Sequence, residues 1–287
     1  MRFGPYTFDT SNLNKVIFPE IDLTKGDLID YYVSISNYML PHTISRPLAM
    51  HRFPDGINGD NFFQKSVPDY FPDWIKTTEI EREEGSLKML SANNKATLAY
   101  IANQACITPH VFLSTTKNID KPDKMVFDLD PPENGFNLVV KAAKLLRTVL
   151  TEERGLNAYV MTTGSRGMHV VVPLRPELDY DKVRDYAREV CEELGERNSQ
   201  EFTTEVRKSK RKGRLFLDYL RNSYGQHSVT PYALRAISGA PVATPVEWDE
   251  LEDLPNGSQS YNFKNIFKRL GQTGDPWKDI KRHAVSL

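Results

Sequence analysis

With 287 residues, 39% of them hydrophobic, the chain is long enough to bury a sizeable core, and its formal net charge of -1 gives no whole-chain field that would select nucleic acid or an acidic partner. No stretch approaches the roughly 20 apolar residues of a membrane span, and the opening MRFGPYTFDTSNLNK lacks the basic-then-apolar order of a secretory signal, so an intracellular, membrane-free protein is expected. Cys106 and Cys191 stand far apart and outside any metal-ligand spacing, which points to buried apolar residues rather than a disulfide or a zinc site.

In chain order, Thr24 to Leu40 reads as a helix, opened by a capping box between Thr24 and Asp27 and closed by Pro41. Asn94 to Ala105 reads as a second, with Leu98, Ile101, Ala102 and Ala105 on one face. The central third is the most regular. A strand at Lys124 to Asp130 leads to a helix at Phe136 to Glu153, a strand at Leu156 to Thr162, a tight GSRG turn, a strand at Met168 to Leu174 and a helix at Tyr180 to Glu196. Short strands near Phe202 to Val206 and Arg214 to Leu220 bracket RKSKRKGR, whose six cations, Lys208 and Arg211 among them, are either a solvated loop or a phosphate-binding patch. No repeat or low-complexity linker appears, and one α/β body, with a mixed or antiparallel sheet flanked by helices, is expected over two separable domains.

The period of two within KMVFDLD puts Met125, Phe127 and Leu129 on one face and Val126, Asp128 and Asp130 on the other. Two acids about 6.6 Å apart along a strand are either a solvated strand end or a pair that a cation makes favourable. Two divalent ions roughly 3.5 to 4 Å apart use such carboxylates in phosphoryl transfer. Asp218 lies in RLFLDYL, apolar on both faces, where a carboxylate needs a metal or an internal partner such as Arg214 or Arg221. In TTGSRGMHVVVPL, Gly164 and Gly167 frame a turn that is either a plain hairpin or a place where amides and the Ser165 hydroxyl approach an anion, with Arg166 and His169 adding charge.

Taken together, DLDPP, SRGMHVVVPL, FLDYLRN and LRAISGAPVATPVEWDE resemble the ordered motifs of the archaeo-eukaryotic primase superfamily, most closely the polymerase domain of prokaryotic end-joining ligase D. The likeness runs from NLNKVIFP to VATPVEW, and since no ligase or nuclease region accompanies it, a free-standing polymerase component is expected. It implies a single primase-polymerase domain over 1–287: DNA-end and template contacts to about residue 120, a catalytic core over about 121–245, and a C-terminal extension over about 246–287.

By the same resemblance, Asp128, Asp130 and Asp218 bind two Mn²⁺ or Mg²⁺ ions, and Thr163, Ser165, Arg166, His169, His110, Arg235 and Arg52 hold an incoming ribo- or deoxyribonucleoside triphosphate. Lys15 and Lys25 match residues that recognise a downstream 5′ phosphate, although solvated lysines at a helix start are the plainer reading of the two. Phe62 and Phe63 match an aromatic pair on the template base, with Lys65, Lys208 and Arg211 on the DNA backbone and Arg46 and Arg52 adding phosphate contacts; two core phenylalanines are the alternative. The activity implied is nucleotide addition to a 3′ hydroxyl at gaps or paired broken ends in non-homologous end joining, with ribonucleotides preferred. A separate ligase, a Ku-like end binder and a DNA-bridging dimer are its implied partners, and the cytoplasm, at the nucleoid, its location. The rivals are a de novo primase, a catalytically silent end-binding module and a metal-dependent phosphohydrolase.

Overall fold

Both hydrophobic periods read from the sequence are realised in the computed structural model, which describes residues 1–81, 85–133 and 135–287. Contacts within the chain sort it into two units, each built from separated stretches. One holds residues 1–117, 227–242 and 262–264, the other 118–226, 243–261 and 265–287.

In the first unit the expected capping box forms: the Thr24 hydroxyl accepts from the Asp27 amide, and the Asp27 carboxylate accepts from the Thr24 amide. The helix does not run on to Leu40. It spans Lys25–Ser34, and a second helix, Ser36–Thr43, carries Pro41 inside it, forgoing one backbone bond instead of ending there. The helix Lys95–Asn103 is capped by Asn94, and every residue from Ala96 to Asn103 is buried, a wider face than the four positions expected. The sheet runs His227–Val229, Cys106–Phe112, Leu48–Arg52, Ser86–Leu90, Thr77–Glu81, with Phe62–Gln64 also paired to Leu48–Arg52, all antiparallel. Segment 227–242 is tied in through buried hydroxyls: Tyr31 donates to the Tyr232 carbonyl at 2.8 Å, and Thr108 to that of Leu234 at 2.7 Å.

In the second unit the six strands paired among the described residues run Phe202–Thr203, Leu215–Asp218, Lys124–Asp130, Met168–Pro173, Tyr159–Thr162, Thr244–Val246, parallel only between the first two. Lys124–Asp130 has the bounds expected, while Tyr159–Thr162 starts later and the two strands beside the basic run are shorter. One sheet face carries Met125, Phe127, Leu129, Val170 and Leu217 against Val139, Ala142 and Leu146 of helix Phe136–Thr148 and Val183, Ala187 and Val190 of helix Tyr180–Arg197. Burying each large aliphatic or aromatic side chain contributes about 1.5–3 kcal/mol. The expected helix to Glu153 closes as a single wide turn at Val149–Glu153. Both cysteines are free and buried, and burial pushes both thiols up. No described helix is long and apolar enough to cross a membrane.

The strand Leu215–Asp218 ends opposite Asp128, yet the neighbouring strand continues back to Lys124. Asn222, fully buried, fills the missing place: its Oδ1 accepts from the Val126 amide at 2.8 Å and its Nδ2 donates to the Val126 carbonyl at 2.7 Å and to Tyr219 at 2.9 Å. Asn222→Ala should cost about 2–4 kcal/mol, because several buried polar groups lose partners at once. Thermal unfolding checks this; a midpoint within a degree of wild type would contradict it.

Candidate functional site

The carboxylates are positioned by strand register. Asp218 stands directly across from Asp128 on one side, His169 across from Asp128 on the other, and Asp130 follows Asp128 by two residues. Cross-strand partners and i, i+2 neighbours share a face, so all four side chains project from the face opposite Met125, Phe127 and Leu129. The sheet therefore brings Asp128, Asp130, Asp218 and His169 together.

Each acid meets a cation. The Arg221 Nε donates to Asp128 at 3.0 Å and lies 3.9 Å from Asp218; His169 Nε2 lies 3.5 Å from Asp128. Arg211 donates to Asp130 at 2.9 Å and Arg166 at 3.4 Å. Burial works against the Asp128 charge, but His169 and Arg221 outweigh it and hold its carboxyl well below the usual range. Asp218 goes the other way: burial, then the Asp128 charge, raise it, and the Leu220 amide at 2.7 Å and distant Arg221 only partly offset them. Of the two internal partners considered from sequence, Arg221 is the one within reach, and only weakly.

Carboxylate oxygens suit a hard divalent ion, and Asp218 is an incompletely balanced buried charge beside a second one. The donor chemistry fits. As arranged, no group of three or more His, Cys, Asp or Glu among the described residues closes on a metal position, because the carboxylates are turned to guanidiniums. Arg211 balances Asp130 and Arg221 balances Asp128. Neither role was read from the sequence, in which Arg211 figured as a DNA contact and Arg221 only as an ion-pair partner.

The GSRG turn is built against the strand Lys124–Asp130. Gly164 takes a left-handed φ of 65°, and a Cβ on Gly167 would lie 2.0 Å from the Leu129 carbonyl oxygen. The Gly167 carbonyl accepts from the Thr163 hydroxyl at 3.0 Å and from Ser258 at 2.7 Å, and Gln259 donates to the Ser165 carbonyl at 3.0 Å. Thr163 is thus buried and used inside the turn, whereas Ser165 is half-buried and Arg166 exposed. Ser165, Arg166, Lys208, Arg211 and Arg214 line an open cleft of about 900 Å³ together with Gly257, Ser258 and Gln259. No local pattern in residues 256–259 signals that the segment belongs here.

In the first unit, Phe62 and Phe63 are 46% and 54% exposed, which excludes the core reading. Lys65 is exposed, while Arg46 is only 4% exposed, so it is not a surface phosphate contact. Arg52 is committed: it donates to the Gln104 carbonyl at 2.6 Å and to Gln64 at 2.5 Å and lies over the Phe62 ring. His110 donates through Nδ1 to the Thr108 carbonyl; burial, then Arg235, His227 and His51, push its imidazole well below its ordinary range, so it is neutral at pH 7.

Lys15 pairs with the exposed Asp55. Lys25 is buried and donates to the Ser11 hydroxyl at 3.1 Å and the Asn103 carbonyl at 3.3 Å, both neutral; burial, then Lys15, lower its affinity for the proton. The N-terminus of helix Lys25–Ser34 does not itself offer its first amides to an anion. The amides of Lys25, Gly26 and Asp27 already donate to Lys15, Leu13 and Thr24, so any anion must be held by the lysine side chains.

A family model described as the LigD primase-polymerase domain matches residues 24–277. The multifunctional non-homologous end joining protein LigD of Pseudomonas aeruginosa is 32% identical over 272 residues, 94% of this chain and 32% of that protein. The bifunctional non-homologous end joining protein LigD of Bacillus subtilis is 30% identical over 275 residues, 95% of this chain and 44% of its own length. The chain thus spans less than half of either relative. The polymerase domain from Mycobacterium tuberculosis ligase D, solved in complex with DNA, superposes with a TM-score of 0.90 at 27% identity, covering 97% of this chain and 99% of that one.

Proposed function

Because the chain belongs to the LigD primase-polymerase domain family, we propose that it is a DNA-repair nucleotidyltransferase that extends 3′ hydroxyls at gaps or paired broken ends in non-homologous end joining, preferring ribonucleotides. The observation that carries this is the register that sets Asp128 against Asp218, with Asp130 on the same face and the Thr163–Gly167 turn packed against their strand. Two divalent ions, Mn²⁺ or Mg²⁺, held by Asp128, Asp130 and Asp218, would supply the charge stabilisation that in-line attack of a 3′ oxygen on an α-phosphate needs.

The protein's own groups prepare that chemistry. Asp128, Asp130 and Asp218 would hold the ions, and Arg166 and Arg211, which pair with Asp130, would then be available to phosphate oxygens. Ser165 and the turn amides contribute neutral donors, and Thr163 holds the turn in shape. By family likeness, Arg235 and neutral His110 of the first unit are candidate nucleotide contacts, and Arg52, bonded to Gln104 and Gln64, lies over the Phe62 ring. Lys208 and Lys65 meet the DNA backbone. A ligase, a Ku-like end binder and a bridging dimer complete the partners, in the cytoplasm.

Extension of a gapped duplex with Mn²⁺ tests the reading, comparing ribo- with deoxyribonucleotides and a downstream 5′ phosphate with a 5′ hydroxyl. Faster ribonucleotide addition on phosphorylated gaps is expected. Synthesis only on unprimed single strands would select the primase, and none at all the silent binding module. Among the described residues Lys25 has no acid as a hydrogen-bond partner, and it sits beside Lys15, an arrangement a phosphate would balance. Lys25→Ala should therefore remove about ten-fold of the advantage of the 5′ phosphate, the scale of one charge-assisted hydrogen bond; equal loss on both gaps would sink the assignment.

A further inference from the structure

Strand Phe62–Gln64 pairs with Leu48–Arg52 so that His51 stands opposite Phe63 and Arg52 opposite Phe62. Cross-strand partners share a face, and successive residues do not. The two phenylalanines that the sequence presents as one aromatic pair therefore project from opposite faces, each with its own support.

The His51 imidazole lies nearly parallel to the Phe63 ring, with centroids 4.1 Å apart and planes 13° apart, and the His110 ring meets Phe63 at 5.3 Å and 62°. The histidine is itself held. Its Nε2 donates to Asn61 Oδ1 at 2.9 Å, and its ring packs at 4.4 Å on the buried Phe53. Burial, with the Asn61 bond opposing it and the Arg235 charge adding to it, keeps the imidazole below its ordinary range, so the ring under Phe63 is a neutral plane. Phe63 is nonetheless 54% exposed. A ring stacked on one face and open on the other is a preformed platform for a flat, apolar ligand. Phe62 differs: it lies 5.4 Å from a guanidinium that is anchored to Gln104 and Gln64.

We propose that His51 is a positioning residue that presents the Phe63 ring to one unpaired template base, a refinement that rests on the polymerase reading above. A free phenylalanine on an edge strand must be immobilised when a base stacks on it; one already stacked on a fixed imidazole has lost that freedom beforehand. What His51 must provide is a flat ring at that position, not a proton or a charge.

The test places 2-aminopurine at the unpaired template position of a gapped duplex and titrates wild-type protein, His51→Ala, His51→Phe and Phe62→Ala without nucleotide. Wild type should quench the base. His51→Ala should bind this DNA about five-fold more weakly, roughly 1 kcal/mol of stacking preorganisation, and lose most of the quench, with little change on a nicked duplex that lacks an unpaired base. His51→Phe should restore both quench and affinity, and Phe62→Ala should keep the quench. Equal weakening on gapped and nicked DNA, no rescue by phenylalanine, or an unchanged quench in His51→Ala would overturn the assignment while gap extension by wild type leaves the polymerase reading intact. Wild-type protein that neither binds nor extends gapped DNA would overturn both.

Discussion

Asp218→Asn should abolish nucleotide addition, by roughly a thousand-fold or more, the scale on which groups that stabilise developing charge act, while binding to gapped DNA stays within a few-fold of wild type. Asparagine keeps the shape and an oxygen that can accept from the Leu220 amide at 2.7 Å, so the strand end and the Asn222 lock behind it persist. Only the charge goes. Stability gives an independent readout with the opposite sign. Burial, then the charge of Asp128, raise Asp218 above its unfolded value, so its contribution favours folding at acid pH and is lost as pH rises through the folded value. At neutral pH in metal-free buffer the charged form is therefore a liability, and Asp218→Asn should unfold at the same temperature as wild type or higher. A dead enzyme with an undiminished melting temperature is what a carboxylate kept for chemistry looks like. Substantial residual extension would remove Asp218 from the reaction, and a melting temperature several degrees lower would make it a structural residue.

Legibility in the sequence followed periodicity. The strand Lys124–Asp130 could be bounded to the residue because its two faces separate cleanly into Met125, Phe127 and Leu129 against the acids, and the helix Tyr180–Arg197, expected to end at Glu196, to within one residue because its apolar stripe is long. The sheet of the first unit was not legible. Its strands are short, LAMHR and CITPHVF show no alternation, and Pro109 within the latter argues against a central strand although it is one. The three acids could be nominated from local pattern, but that Asp218 falls opposite Asp128 is a register fact between segments some 90 residues apart. The same holds for Asn222, which completes a ladder across a gap that exists only in the folded sheet, and for Arg221, placed against Asp128 by the turn after its strand. Phe62 and Phe63 show the converse. Their adjacency invites a joint role, and it is the pairing with His51 and Arg52 that separates them.

Gly167→Ala should be strongly disruptive. A Cβ there would lie 2.0 Å from the carbonyl oxygen of Leu129, far inside any contact that real Cβ atoms make, and the obstacle is backbone, which cannot rotate away. Leu129 is the residue between Asp128 and Asp130. Relief must come either from the turn, whose Gly167 carbonyl is held by Thr163 and Ser258, or from the strand that carries both acids. Overpacking of this kind costs about 1–3 kcal/mol, occasionally more, and a shift of about 1 Å in positioned catalytic groups costs on the order of a hundred-fold in rate. We expect a melting temperature lower by several degrees and gap extension reduced at least a hundred-fold at temperatures where the variant is fully folded. Gly164→Ala is the comparison. Its φ of 65° strains any added Cβ, so it should lose about 1 kcal/mol of stability and retain most of its activity once folded. If Gly167→Ala matches wild type in both measurements, the turn does not press on the strand Lys124–Asp130. If Gly164→Ala is equally inactive when folded, backbone conformation in the turn, and not its close approach to Leu129, sets the geometry of the site.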